Sequence, residues 1–160
     1  MKGNHKTLVP RFLCDEMLQG LARWLRAAGY DTQSCPAGTP DRKLLEQARN
    51  EQRWLITRDH KLQELRHAKG TVILLKSNGT EACAQELMIH VPVDWQLRPF
   101  TRCLLCNKLL TVAPAEKIEQ IPSDSRKLAD PLLECTQCGK LYWAGGHVER
   151  LTKKLKKLTT

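Results

Sequence analysis

The sequence predicts an α/β protein in which a parallel sheet is flanked by helices and followed by a small four-cysteine module. Two observations predict this architecture. Short apolar segments alternate with helix-like segments four times along the first part of the chain, and two C-x2-C pairs follow after Pro92 and Pro99. Because right-handed crossovers join parallel strands economically, the alternation favours one parallel sheet covered on both faces by helices.

The first strand and helix are predicted from apolar residues near the start of the chain. Residues 11–14 form a short apolar strand that ends at Asp15. The helix after it is indicated by apolar residues at helical spacing, and Gly29 is expected to end it. These apolar residues are Leu18, Leu21, Leu25 and Ala28. Arg23 and Arg26 lie off this stripe, so we expect them to face solvent or a phosphate-bearing ligand.

The second unit begins with a strand over residues 30–34. Thr39 is a residue type that commonly caps the N-terminus of a helix. Pro40 suits the first helical position because its fixed φ is already helical. The buried side of this helix is expected to consist of Leu44, Leu45 and Ala48.

Two further units complete the predicted sheet. Residues 54–57 are bulky or β-branched and are typical of a buried strand. A short helix around Leu62 and Leu65 follows. Residues 71–75 are predicted to form a strand, and residues 80–88 are predicted to form a helix after it.

Composition and charge narrow the class of protein. The chain is 41% hydrophobic and 27% charged, and no apolar run approaches the roughly 20 residues that span a bilayer. The N-terminus lacks an apolar stretch with a small-residue cleavage site, so we expect no membrane association, no secretory signal and a cytoplasmic location. The formal net charge of +9 favours a polyanionic partner, because basic residues that neutralise phosphates release counterions.

The same features divide the chain into three predicted parts. We place the α/β domain at residues 8–96, the cysteine module at residues 97–150 and a basic tail at residues 151–160. In the tail, leucines at helical spacing alternate with lysines, which predicts a basic amphipathic helix. There are two alternatives for this helix: it packs on the rest of the protein through its leucines, or it contacts nucleic acid.

Four cysteines have the spacing of a metal site. Two C-x2-C turns let four sulfurs reach one tetrahedral zinc ion, which would be structural because no ligand position is left open. These cysteines are Cys103, Cys106, Cys135 and Cys138. A redox dithiol is the alternative. The isolated residues Cys14, Cys35 and Cys83 are expected to be buried thiols without a function.

Aromatic and basic residues follow the second cysteine pair. Tyr142 and Trp143 lie near His147 and Arg150, and this mixture of stacking surfaces and cations suits unpaired bases. Packing of the aromatic rings in a core is the alternative. His147 is not expected to bind the zinc ion, because four thiolates already satisfy it.

Three aspartates follow predicted strands or begin the next helix. Asp15, Asp41 and Asp59 are therefore expected to meet at the carboxyl edge of the parallel sheet, where such folds build their sites. A divalent cation would relieve the repulsion among them, and oxygen ligands favour magnesium or manganese. Such an ion can orient a water for attack on a phosphodiester. The alternative is that each aspartate only caps a helix.

Several motifs of the chain resemble the Mut-7 C-terminal RNase domain family, in the same order from about residue 10 to residue 152. They are Arg11-Phe-Leu-Cys-Asp15, Met17-Leu18, Leu21-Ala-Arg-Trp-Leu-Arg26, Gly29-Tyr-Asp-Thr32, Thr57-Arg-Asp59, the two C-x2-C pairs, Tyr142-Trp143, Gly146-His147 and Glu149-Arg150. The resemblance implies a PIN-like nuclease fold with a zinc ribbon. It also implies that Asp15 and Asp59 hold a catalytic metal, with Asp41 as the third ligand.

The same resemblance implies roles for basic residues near these aspartates. Arg23, Arg26 and Arg58 fit phosphate binding, although salt bridges to the aspartates are an alternative. Ser77 follows the fourth strand, where PIN domains often place another polar or acidic residue, and Glu16 follows the first aspartate and could enter the site.

Together these features predict a metal-dependent ribonuclease whose zinc ribbon aids RNA binding. The alternative from another class is a noncatalytic protein that binds RNA, the ribosome or a protein partner through its zinc ribbon and basic tail. A PIN-type toxin is a third possibility.

Overall fold

A four-stranded parallel sheet forms the centre of the computed structural model, which describes residues 8–159. Its strands are β1 (Phe12–Cys14), β2 (Thr32–Ser34), β3 (Trp54–Thr57) and β4 (Val72–Leu74), in the order β2-β1-β3-β4. The helices between and after them are α1 (Gln19–Ala28), α2 (Asp41–Asn50), α3 (His60–Gln63) and α4 (Thr80–His90). The predicted α/β class with a parallel sheet is confirmed.

Two apolar clusters cover the faces of this sheet. Successive side chains of a strand point to opposite faces, so Phe12 and Ile56 pack with α1 and α4, whereas Leu13 and Leu55 pack with α2 and α3. The alternation of elements therefore produces the helix-covered sheet that the sequence predicts.

The helix boundaries correct two details of the sequence prediction. α2 begins at Asp41 with Pro40 at the cap position, and the Thr39 hydroxyl donates to the Pro36 carbonyl instead of capping the helix. α3 ends at Gln63, so the expected helix does not reach Leu65. At the end of α1, Gly29 has a φ of 103° and ends the helix as expected, because this conformation strains other residues.

The C-terminal part is a small antiparallel sheet followed by one helix. Its strands are β5 (Thr111–Val112), β6 (Leu133–Glu134) and β7 (Leu141–Tyr142), in that order. The helix α5 (Gly146–Leu158) begins before residue 151 and crosses the predicted start of the tail. Its buried residues are Leu151, Leu155 and Leu158. The docked amphipathic helix is therefore present, and its contact with nucleic acid stays a prediction.

One apolar cluster joins all three predicted parts. It contains Phe12 and Ile56 of the sheet, Cys103 and Tyr142 of the cysteine module, and Leu155 of α5. The division into domains stays a prediction, but the parts share a core. No helix within residues 8–159 is both long and apolar enough to cross a bilayer. Residues 1–7, on which much of the signal-peptide prediction depends, and Thr160 lie outside the described residues.

Arg26 connects α1 to the cysteine module, which corrects the expectation that it faces solvent or a ligand. It is 4% exposed. Its Nε donates to the Thr32 carbonyl and its Nη1 to the Leu104 carbonyl, each at 2.8 Å, and its Nη2 donates to Ser34 Oγ at 2.9 Å. The apolar stripe of α1 does not predict the burial of Arg26, because α1 packs on both the sheet and the cysteine module.

Asp31 and Asn107 form a second junction between the module and the sheet. Asn107 Oδ1 accepts from the Thr32 N–H at 2.9 Å, and its Nδ2 donates to Asp31 Oδ1 at 2.7 Å. Arg53 Nη1 donates to the same Asp31 oxygen at 2.8 Å. Burial alone would raise the pKa of Asp31, but these hydrogen bonds and the charge of Arg53 outweigh it and hold that pKa well below its usual range.

Asp31→Asn is expected to lower the free energy of unfolding by about 2 kcal/mol at neutral pH, because hydrogen bonds to an ionised group are lost. The folded state lowers the pKa of Asp31, so its stabilisation is present above the unfolded pKa of about 4 and is lost as the pH falls below it. Urea unfolding of both proteins at several pH values measures this. A difference that stays constant through acid pH would contradict the ionic role of Asp31.

Candidate active site and metal centre

The three predicted aspartates line one cavity of about 360 Å³ at the carboxyl edge of the sheet. Asp15 follows β1, Asp41 begins α2 and Asp59 follows β3. Glu16 and Arg58 line the same cavity. The parallel topology thus brings together residues that are far apart in sequence, as the strand pattern predicts. We call this space the acidic cavity.

A buried threonine connects two of these aspartates. Thr57 is fully buried at the end of β3, and its hydroxyl donates to Asp15 Oδ2 at 2.8 Å. The same hydroxyl oxygen accepts from the Asp59 N–H at 3.0 Å. Thr57 therefore fixes one Asp15 oxygen and the backbone of Asp59. This role of Thr57 was not predicted from the sequence, although the residue opens the Thr57-Arg-Asp59 motif.

Asp15 and Asp59 also cap short helical turns. Asp15 Oδ1 accepts from the Met17 N–H at 3.2 Å, and Asp59 Oδ1 accepts from the Lys61 N–H at 2.9 Å. The capping alternative is therefore realised, yet both carboxylates still border the cavity. No described residue donates a hydrogen bond to the side chain of Asp41 or to Asp59 Oδ2. These oxygens are available to a ligand.

The carboxylates are a suitable donor set for a hard cation, but they are not tightly clustered. Within residues 8–159, the four predicted cysteines are the one group of three or more metal-binding side chains whose ligand atoms all lie within 4.8 Å of one another. A cation at the aspartates would therefore keep part of its water shell, as Mg²⁺ commonly does.

Of the three other polar residues predicted near the aspartates, Arg58 and Glu16 line the acidic cavity and Ser77 does not. Arg58 donates from Nη2 to Asn78 Oδ1, and its buried Nε has no hydrogen-bond partner among the described residues. It forms no ion pair with a described carboxylate, so the salt-bridge alternative is not realised for Arg58. Glu16 Oε2 accepts from the Gly38 N–H at 3.2 Å. Ser77 does not line the acidic cavity; its N–H donates to Glu86 at 2.8 Å.

The isolated cysteines near this site are protonated thiols at neutral pH. Burial raises the pKa of Cys14 to about 12 and that of Cys35, which lines the acidic cavity, to about 11. Neither is a thiolate nucleophile under these conditions.

The four predicted cysteines converge at a second site. Cys103, Cys106, Cys135 and Cys138 place their sulfurs within 4.8 Å of one another, and the sulfurs of Cys103 and Cys138 are 3.7 Å apart. Tetrahedral zinc with Zn–S bonds of about 2.3 Å requires sulfurs about 3.8 Å apart. The group could therefore hold a zinc ion, whereas His147 lies outside it.

Tyr142 supports one of these sulfurs. Its buried hydroxyl accepts from the Leu104 N–H at 3.0 Å and is thus free to donate to Cys103 Sγ, 3.2 Å away. Burial would raise the pKa of Cys103, but this hydrogen bond and those from nearby backbone N–H groups lower it to about 7. Such contacts favour the thiolate form that binds metal. For Tyr142, the structure realises the core-packing alternative.

The six predicted RNA contacts lie in four different places. Arg23, His147 and Arg150 line one cavity between α1 and α5. Trp143 instead packs against the small apolar cluster of the cysteine module, and Arg58 borders the acidic cavity. Arg26 is interior.

Two residues of the cavity between α1 and α5 were not predicted, namely Trp24 and Lys140. Lys154 also lines this cavity, and it belongs to the basic tail for which nucleic-acid contact is one of the two predicted alternatives. The sequence places Lys154 four residues after Arg150, which predicts that the two residues share one face of the helix.

Comparison with known proteins places this architecture in a family. The chain is 35% identical over 101 residues to a human protein described as "Exonuclease mut-7 homolog", and the match covers 61% of this chain but only 12% of the human protein. No solved structure matches the chain. A family model for the Mut7-C RNAse domain matches residues 10–155, which is most of the chain. The chain therefore belongs to the Mut7-C RNAse domain family.

Proposed function

We propose that this chain is a metal-dependent ribonuclease that hydrolyses RNA phosphodiester bonds. Asp15, Asp41 and Asp59 would hold magnesium or manganese, and the four-cysteine group would hold a structural zinc ion. The observation that carries this proposal is the meeting of the three aspartates in the acidic cavity. Membership of an RNase domain family adds support.

The residues of the acidic cavity suit this chemistry. A bound divalent cation supplies Lewis acidity for attack of water on a phosphodiester. Thr57 holds Asp15 in a fixed orientation through its 2.8 Å hydrogen bond, which limits the reorganisation needed during reaction. Arg58 contributes a positive charge at the rim without a carboxylate partner among the described residues, and a substrate phosphate suits it.

The cysteine module supports the proposal in a different way. Four protein thiolates leave no open coordination position, so a zinc ion there would stabilise the fold and take no part in the reaction. We propose that the module aids RNA binding, since Lys140, His147 and Arg150 surround a cavity at its border with α1.

Cleavage of labelled single-stranded RNA tests the proposal. The purified protein should carry zinc and be freed of other divalent cations by gel filtration, because a chelator could also remove the zinc. We expect no cleavage without added metal and cleavage with Mn²⁺ or Mg²⁺. Equal cleavage with and without added metal would contradict the proposed site. Metal-independent RNA binding without any cleavage would favour the noncatalytic RNA- or ribosome-binding alternative.

A further inference from the structure

A cavity of about 410 Å³ lies between α1, the cysteine module and α5. Five of its lining residues are basic, and none of its described lining residues is acidic. The basic residues are Arg23, Lys140, His147, Arg150 and Lys154. We call this space the basic cleft. It combines residues of α1 with residues of the cysteine module and α5, which are far from α1 in sequence.

The basic residues of the cleft form no ion pairs with acidic residues among the described residues. Lys153 of α5, by contrast, pairs with Glu149. Like charges gathered in one cleft repel one another, and a bound polyanion would relieve this repulsion. The charge pattern therefore fits a chain of phosphates.

An aromatic residue adds a second feature. Trp24 is half-buried in the cleft, and Lys154 Nζ lies 6.0 Å from the centre of its ring. A basic groove with an aromatic surface is typical of proteins that bind single strands, in which bases are free to stack. Duplex RNA is instead recognised mostly by its shape across about 16 base pairs and two successive minor grooves, a much larger surface than a cleft of about 410 Å³ offers.

A small cavity of about 90 Å³ lies between the basic cleft and the acidic cavity. It shares Gly20 with the basic cleft and shares Met17 and Arg58 with the acidic cavity. Space is limited here, because a Cβ on Gly20 would lie 2.3 Å from Thr80 Oγ1. The three spaces thus adjoin one another around the start of α1.

We propose that the basic cleft binds the backbone of single-stranded RNA and that the strand passes Met17 and Arg58 to reach the acidic cavity. The second half of this proposal rests on the proposed ribonuclease function. The first half concerns binding and is testable whether or not the protein cleaves RNA.

Binding is best measured in an Asp15→Asn background, so that no chelator is needed to prevent cleavage. The test variant combines Arg23→Ala, Arg150→Ala and Lys154→Ala, all of exposed residues. The control combines Lys127→Ala, Lys153→Ala and Lys156→Ala, which removes the same charge from exposed residues outside the cleft. Circular dichroism should show that both remain folded.

Each phosphate contact with a single strand contributes about 0.7 to the slope of log K against log salt concentration. We therefore expect the test variant to bind a single-stranded oligonucleotide more weakly, with a slope shallower by about 2, while the control changes little. Equal slopes for test variant and control would overturn the assignment of the cleft. If the three cleft substitutions weakened the binding of duplex RNA as much as that of single-stranded RNA, the single-strand assignment would be overturned.

The path is tested by photocrosslinking, which does not require activity. Met17 is 64% exposed and lines the small cavity, so it is replaced by benzoylphenylalanine. We expect crosslinks to bound single-stranded RNA that are lost when the three cleft substitutions are added. RNA that binds through the cleft but gives no crosslink at this position would overturn the path. A protein that crosslinks but never cleaves would contradict the proposed function alone.

Discussion

Asp15→Asn is expected to reduce metal-dependent RNA cleavage by at least about 100-fold while leaving RNA binding nearly unchanged. A metal ion contributes several kcal/mol to such a reaction, and each 1.4 kcal/mol corresponds to a tenfold change in rate. Asp15 is 8% exposed and borders the acidic cavity, so its carboxylate is well placed to hold the ion. Single-turnover cleavage of labelled RNA measures the effect.

The controls separate loss of metal from loss of structure. Asp59→Asn should have a similar effect, and it changes a more exposed residue whose Oδ2 has no described donor. Asp124→Asn removes the same charge from an exposed position outside the acidic cavity and should leave cleavage unchanged. Normal cleavage by both Asp15→Asn and Asp59→Asn would exclude the proposed mechanism. Partial recovery of RNA cleavage by these variants when Mn²⁺ is added would strengthen the assignment of Asp15 and Asp59 to metal binding.

Removal of the proposed zinc ion, or the substitution Cys135→Ser, is expected to destabilise the whole chain, including the parallel sheet. Structural zinc contributes roughly 10–16 kcal/mol in small zinc-finger peptides, which is as large as the entire stability of a typical domain. Here Cys103 and Cys135 belong to the same apolar cluster as Phe12 and Ile56. Arg26 also joins the Leu104 carbonyl to β2.

Thermal unfolding followed by circular dichroism, with and without a zinc chelator, measures this coupling. We expect one cooperative transition that shifts to a lower temperature as zinc is removed. Cys83→Ala removes a buried thiol outside the four-cysteine group and should shift the transition far less. An unchanged transition of the α/β part after zinc loss would show that the parts fold independently, as the predicted boundary at residue 96 suggests.

Local patterns in the sequence were sufficient to predict the main strands and helices of the α/β part. The apolar spacing of α1, the β-branched run of β3 and the alternation of strands with helices predict the parallel sheet because each depends on neighbouring residues. The three aspartates were predictable for a related reason. A parallel topology places the ends of its strands at one edge, so Asp15, Asp41 and Asp59 meet without any knowledge of side-chain packing.

The positions of individual cations were less predictable. Arg23 and Arg26 both lie off the apolar stripe of α1, yet Arg23 is exposed in the basic cleft and Arg26 is buried. Helical periodicity identifies the face that packs on the sheet. It contains no information on a second face, which the cysteine module covers. The same limit explains Trp143, whose ring packs within the module, whereas Trp24 borders the basic cleft.

The sequence by itself determined the α/β class, the four-cysteine group and the set of aspartates, because these depend on periodicity, short spacings and strand order. Only the tertiary structure decided that Thr57 connects Asp15 with Asp59, that Arg26 and Asn107 join the cysteine module to the sheet, and that α1 and α5 border a basic cleft. These features depend on contacts between segments far apart in the chain. The spacing of residues within one segment does not specify which other segment will pack against it.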